Sequence, residues 1–278
     1  MKKRAYGKIN LGLKVIKKRE DGFHEIETVM TRISLYDEMT FTESDKIEVE
    51  CTGLTLAMKD NLVYKVALYL KEKYQVSKGI KINIKKMIPS EAGLGGGSSD
   101  AAMTIMCLNK IWNLKMRRID MMKTANLFGS DIAFFLLNEP CFVYGKGDKM
   151  RYIKIKNKLF LVLVKPSFGV ETKKAFSMVD EYSESGYLDK LIEILNSGDI
   201  KDIECEISND LEKAILKDDK YSKIKVIEKE LLSSGAMFAS MSGSGSSVYA
   251  AFKDKKTQEV AYKNMLKNGY QAYKIYNK

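Results

Sequence analysis

The stretch IPSEAGLGGGSSDAAM, Ile88–Met103, holds Gly93, Gly95, Gly96 and Gly97 within five positions, followed by two serines, an aspartate and two alanines. Glycine loses the most conformational freedom on ordering, so a run this dense marks backbone that must approach something closely. Its flanks define the setting. GIKINIK, just before it, puts Ile80, Ile82 and Ile84 on one face of a strand. After it, a helix is predicted from Ser98 or Ser99 to about Trp112, with Ala101, Ala102, Ile105, Leu108 and Trp112 facing inward. Bare backbone between a strand and a helix start lets N–H groups converge on an anion, and the helix end adds a partial positive charge. Ser98 and Ser99 either cap the helix or offer hydroxyls to phosphate oxygens or a metal. The loop therefore points to phosphate binding, with a tightly packed turn as the alternative. Neither common phosphate pattern applies. No lysine follows the loop as GxxxxGK[ST] requires, and Ser98 stands where GxGxxG needs its third glycine.

The rest of the chain supplies alternating strands and helices. Ile9, Leu11, Leu13 and Val15 alternate with Lys8, Asn10, Gly12 and Lys14, the pattern of a half-buried strand. REDGFHE (Arg19–Glu25) is a turn, followed by strand-like segments near 26–35, 39–42 and 46–51. A helical period begins at Leu62, and a second helix near 118–128 stops at Gly129. After about residue 155 a buried strand at 159–164 leads into helices near 171–180, 187–196, 201–217 and 222–234. Then come a strand–loop–strand in AMFASMSGSGSSVYAAF, a helix at 256–267 and a last strand. Domains are expected over 1–155 and 156–278, a length that accommodates two.

Composition narrows the function classes. Forty-seven Lys and Arg against 36 Asp and Glu give a net charge of +11. This points towards an anionic partner, but lysines spread along the whole chain make a generally basic surface the leading explanation. No apolar stretch approaches the roughly 18–20 residues of a membrane span, and no apolar segment follows the basic start, so neither a membrane association nor a signal peptide is expected. Cys51, Cys107, Cys141 and Cys205 lack CxxC spacing, and there is a single histidine. That argues against zinc and against Cys-His or Ser-His-Asp catalysis, and free thiols suit the cytoplasm.

Other candidates are weak one by one. Asp131 opens a helix in GSDIAFF, where an aspartate serves as an N-cap or as a catalyst. Lys8 reads as one lysine on a solvated strand face, and His24 as a turn or packing residue. MSGSGSSVYAAF (Met241–Phe252), with Ser242, Gly243 and Gly245, is equally well a flexible hairpin loop.

Together, in this order, AYGKINLGLKVIKKREDGFHEIETV, IPSEAGLGGGSSDAA, FGSDIAFFL and MSGSGSSVYAAF resemble the GHMP kinase superfamily along nearly the whole chain. The resemblance implies an α+β fold, mixed α/β. Its N-terminal domain would be a ribosomal-protein-like β/α unit and its C-terminal domain a ferredoxin-like α+β sandwich. It implies ATP as co-substrate with Mg²⁺, Asp131 as catalytic base and Lys8 beside it. Gly93, Leu94, Gly95, Gly96, Gly97, Ser98 and Ser99 would hold the ATP phosphates, Asn61 would mark the adenine end, and Ser242, Gly243 and Gly245 would form a supporting loop. The DGFHE turn points to the branch whose acceptor is a small cytidine diphosphate, 4-diphosphocytidyl-2-C-methyl-D-erythritol. By that resemblance Asn10, Phe23, His24, Thr172 and Phe176 contact it, Phe176 stacking on cytosine opposite Phe23. A monomer or weak homodimer is expected, with no nucleic-acid partner. Another acceptor (mevalonate, homoserine or a sugar) and a basic nucleic-acid-binding protein are the alternatives. The sequence departs from the family at Phe23, commonly tyrosine, at Ala5-Tyr6-Gly7, commonly small-Pro-Ala, and at Glu91, where a small residue is frequent. A carboxylate near phosphates is unfavourable unless it turns away.

Overall fold

The computed structural model describes residues 1–53 and 61–278, which group into two compact units that are discontinuous in sequence. Unit 1 comprises Met1–Gly7, Leu35–Pro89 and Gly95–Asn138, and unit 2 comprises Lys8–Ser34, Ser90–Leu94 and Glu139–Lys278. Two long strands, β1 (Lys2–Lys18) and β2 (His24–Ser44), pair with each other and contribute residues to both units. The separate strands expected at 26–35 and 39–42 are thus one continuous β2.

In unit 1 the second half of β2 runs antiparallel to β4 (Gly79–Lys85), which lies parallel to β3 (Ile47–Thr52). The parallel pair is joined through α1 (Leu62–Lys73), as such pairs require a crossover. Ile80, Ile82 and Ile84 of β4 are buried, as the alternation predicts. The glycine stretch leads into α2 (Gly96–Ile111), which packs on α1 and on α4 (Ser130–Leu137), while α3 (Arg118–Phe128) ends at Gly129. Helix α2 starts two residues before the expected serines. Gly95, at φ +65°, is its N-cap, a left-handed conformation that glycine adopts without strain.

Unit 2 holds the first half of β2 paired with β5 (Cys141–Gly145), which pairs with β6 (Lys149–Tyr152). Its second sheet is antiparallel and built from β7 (Phe160–Lys165), β8 (Phe238–Met241), β9 (Val248–Phe252) and β10 (Gln271–Tyr276). The order is β10-β7-β9-β8, with α8 (Lys223–Ser233) between β7 and β8 and α9 (Lys255–Lys267) between β9 and β10. This is the ferredoxin-like βαββαβ path. Val162 and Val164, Val248 and Ala250, Ile224, Ile227 and Leu231, and Ala261 and Met265 close its core. Between β7 and α8 lie α5 (Thr172–Ser177), α6 (Asp189–Ser197) and α7 (Asp210–Ile215). The single helix expected over 201–217 is broken. Asp202 is left-handed at φ +61°, a 3-10 turn spans Ile203–Cys205, and Asn209 is an extended N-cap whose side chain accepts from Leu211 and Glu212.

Candidate active site

Strand β1 reads as half-buried, yet every residue from Gly7 to Val15 is buried. Lys8 is only 4% exposed and Lys14 1%, which overturns the solvated strand face. Each polar side chain on that face has a partner, as burial demands. The Lys8 ammonium donates to Asn10 Oδ1 at 2.6 Å, Asn10 Nδ2 to Thr28 Oγ1 at 2.8 Å, and Thr28 Oγ1 to the Gly12 carbonyl at 2.6 Å. Lys14 pairs with buried Asp210 at 3.4 Å. Asn10, expected to touch the acceptor, has both amide atoms engaged in orienting Lys8.

The two glycine-rich stretches meet beside this lysine. The Ser242 hydroxyl donates to the Gly93 carbonyl at 3.0 Å, Ser246 N–H to Glu91 O and Ser247 N–H to Ala92 O at 3.2 Å each, and Lys8 N–H to Leu94 O at 2.9 Å. Gly93, at φ +73°, would place a Cβ 1.8 Å from the Ser242 carbonyl oxygen. A Cβ on Gly243 would lie 3.1 Å from Lys8 Nζ and 3.0 Å from Asn10 Oδ1. Residues 241–250 are all buried, so the flexible-hairpin alternative fails. Gly245 (φ +90°) belongs to the same close packing, its missing Cβ replaced by the Met241 sulfur. Asn209 fastens the loop by donating to the carbonyls of Met241 and Gly243 at 2.8 Å each.

The remaining unit 2 candidates form two contacts. Thr172 and Ser244 bring their hydroxyls within 3.0 Å. His24 stacks on Phe176 with centroids 5.1 Å apart and planes at 23°, so the ring facing Phe176 is His24. Phe23 is exposed, with Lys146 5.5 Å from its ring centre. Burial, then the charge of Lys18, lowers the His24 pKa, favouring the neutral ring.

In unit 1 the N–H groups of Gly96, Gly97 and Ser98 precede the first bond of α2, from Ser99 N–H to Gly95 O at 2.8 Å. They form the positive end of a 16-residue helix. Ser99 is buried and donates to the Tyr6 carbonyl at 2.7 Å. Neither serine caps the helix, because Gly95 occupies that position. Asn61 caps α1, its Oδ1 accepting from Val63 N–H at 2.9 Å and its Nδ2 donating to Cys51 Sγ at 3.3 Å. Asp131 lies in the first turn of α4, whose N-cap is Gly129, so the N-cap alternative does not hold.

Sequence reasoning missed a buried charge cluster under the loop. Lys86 donates to Asp37 at 2.5 Å and to Asp100 at 2.7 Å, and Asp37 Oδ1 accepts from Met87 and Ile88 N–H at 2.6 and 2.8 Å. Asp100 is on α2, one residue past the two serines. Burial pushes its carboxyl up to about 7 against the pull of Lys86. Burial also opposes the charge on Lys86, but its two carboxylates outweigh that and raise its pKa. Nothing distinguishes Lys86 from its neighbours in sequence.

With this geometry, likeness to known proteins becomes specific. The GHMP kinases N terminal domain matches residues 61–139 and the GHMP kinases C terminal domain residues 189–271. A 4-diphosphocytidyl-2-C-methyl-D-erythritol kinase of Thermodesulfovibrio yellowstonii is 39% identical, over 94% of this chain and 92% of that protein. The chain belongs to the GHMP kinase family. A crystal structure of 4-(cytidine 5'-diphospho)-2C-methyl-D-erythritol kinase superposes with a TM-score of 0.86 at 26% identity, covering both chains fully. L. major mevalonate kinase in complex with R-mevalonate matches this GHMP kinase in fold, with a TM-score of 0.78 at 17% identity over 100% of this chain and 96% of that one. The chain is thus an ATP-dependent kinase. Among its described residues, no helix is long and apolar enough to cross a membrane.

Proposed function

We propose that this GHMP kinase transfers the γ-phosphoryl group of ATP to the 2-hydroxyl of 4-diphosphocytidyl-2-C-methyl-D-erythritol, a cytoplasmic step of the non-mevalonate isoprenoid route. The observation that carries the acceptor is the His24–Phe176 stack. It offers a flat aromatic face and a ring with one donor and one acceptor nitrogen, as a nucleobase requires and a mevalonate or homoserine acceptor does not. The curated relative's name supports the same acceptor.

Gly93–Gly97 and the start of α2 cradle the triphosphate, and the Ser98 hydroxyl adds a ligand. Asp131 accepts the acceptor's hydroxyl proton as the phosphoryl group passes directly between oxygens. The Lys8 ammonium, held by Asn10, compensates the charge spread over that group. The described residues include no group of three or more His, Cys, Asp or Glu side chains that could hold a metal ion. Mg²⁺, when bound, would take most of its ligands from phosphate and water. Ser98 is the protein oxygen suited to it, and the ion would neutralise phosphate charge.

A coupled ADP-release assay with the cytidine diphosphate acceptor, mevalonate, homoserine and a sugar tests the acceptor. Turnover is expected with the first alone, and preferential turnover of another refutes the acceptor assignment. Asp131→Asn should lower kcat by about 10²–10⁴-fold with little change in ATP KM. Near-normal turnover would remove Asp131 from the base role. Steeply salt-dependent, ATP-independent nucleic-acid binding without turnover would overturn the kinase reading altogether.

A further inference from the structure

Glu91, the residue out of place for a phosphate loop, lies with its side chain against Gly169. It takes φ +49°, and its side chain covers Gly169. A Cβ on Gly169 would lie 2.1 Å from Glu91 Oε2 and 2.7 Å from Glu91 Cβ, so only glycine fits beneath it. The neighbouring Phe168 carbonyl accepts from Lys165 Nζ at 2.6 Å and from Ser246 Oγ at 2.5 Å. Lys165 also donates to the Pro166 carbonyl at 2.9 Å. Burial lowers the pKa of this lysine, and the Glu91 carboxylate is the charge that opposes the shift. The main chain of Glu91 does something separate, accepting from Ser246 N–H. Its backbone thus belongs to the packing of the two glycine stretches. Its side chain belongs to the turn at 165–169, which leads within a few residues to Thr172 and Phe176.

We propose that Glu91 is a positioning residue for the acceptor side. Its carboxylate, acting on the Lys165 ammonium and lying over Gly169, fixes the segment Phe168–Phe176 so that Thr172 meets Ser244 and Phe176 meets His24. The assignment of that segment to the acceptor rests on the function proposed above, whereas the positioning itself does not. It follows that replacing the Glu91 side chain loosens the acceptor segment and leaves the backbone bonds to the serine loop in place.

His24 is the only histidine in the chain, so its imidazole proton resonances report the Phe176 ring current without any substrate. Phe176→Leu calibrates loss of the stack. In Glu91→Gln the His24 resonances should move toward the Phe176→Leu positions, and Lys165→Met should move them the same way. Glu91→Asp, which keeps the carboxylate, should leave them near wild type. In steady state, Glu91→Gln should raise the acceptor KM about tenfold with ATP KM within about twofold. The double variant Glu91→Gln/Lys165→Met should be no worse than Lys165→Met alone, because both side chains act on the one turn at 165–169. Unmoved His24 resonances in Glu91→Gln, equal rises in both KM values, or full additivity in the double variant would each overturn the proposal. If the wild-type protein does not use the cytidine diphosphate acceptor, the function assignment falls, and the His24 resonances alone decide the role of Glu91.

Discussion

Replacing Lys86 with methionine removes one cation from between two buried carboxylates. Asp37 and Asp100 have side chains 0% and 5% exposed, and Lys86 itself is 10% exposed. Removing one partner of a buried ion pair leaves an uncompensated charge and costs about 3–5 kcal/mol. Here two carboxylates are left facing each other, so the upper part of that range applies at high pH. At roughly 2–4 °C per kcal/mol, Tm should fall by an amount of the order of 10 °C at pH 8. The loss should be smaller at pH 5.5, where a proton on Asp100 relieves the repulsion. The wild-type protein carries a weaker form of the same slope. Asp100 titrates near 7 in the fold against an ordinary 3.8, so the folded state keeps a proton that the unfolded chain has released. Stability contributed by Asp100 is therefore full below about pH 4 and declines up to about pH 7. Lys86, its pKa raised, stays charged throughout that window. Asp100→Asn should flatten this part of the slope, cost about 1 kcal/mol or less at pH 8, and recover much of the Lys86→Met loss in the double variant. Thermal melts by circular dichroism at pH 5.5 and 8.0 measure all of this. A Lys86→Met protein melting within about 2 °C of wild type at pH 8 would show that the cluster is not energetically coupled.

The remaining outcomes need simpler measurements. Gly93→Ala adds a Cβ 1.8 Å from the Ser242 carbonyl at φ +73°. Both strands of that contact are backbone and cannot swing aside, so a loss of about 3 kcal/mol or more and a fall of about 100-fold in kcat/KM for ATP are expected from melting and steady-state rates. Wild-type behaviour in both would refute the close approach. Glu228 is pushed up to about 9 by burial and by the charge of Glu212. The fold keeps its proton at neutral pH, and the stability it contributes declines as pH rises from about 4.5 to about 9. Glu228→Gln, already neutral, should melt close to wild type at pH 7 and lose that decline in urea titrations at pH 7 and 9, whereas an unchanged slope would place the titration elsewhere.

What the sequence disclosed depended on whether one residue type carried the signal alone. Four glycines between a strand and a helix announced backbone that must approach something closely, because no other residue supplies φ +65° and +73° without strain. The alternation in β1 announced a strand for the same reason, since period two has one cause. Its polar positions misled. Lys8 and Lys14 look solvated because alternation usually separates core from water, and only the tertiary partners Asn10 and Asp210 make their burial tolerable. Thr28, which holds Asn10 in turn, and Asp210 lie 18 and 196 residues from the side chains they hold, beyond the reach of any local pattern.

The same limit explains the helix starts and the contacts around the site. Serine is the better N-cap in isolation, yet Gly95 caps α2, because a left-handed residue at that point fixes the direction in which the helix leaves the loop. Asn61 caps α1, and His24 stacks on Phe176. In each case the residue type was legible and its partner was not. Glu91 shows why that distinction matters for function. Read along the chain, it is a carboxylate intruding on a phosphate loop. In the fold, a left-handed backbone turns it onto Gly169 and toward a buried ammonium. One residue thus joins the packing of the two glycine stretches with its backbone and covers the turn at Gly169 with its side chain. A departure from a family pattern of this kind is best met by asking what the side chain covers, and Gly169, with no room for a Cβ beneath Glu91, is the answer here.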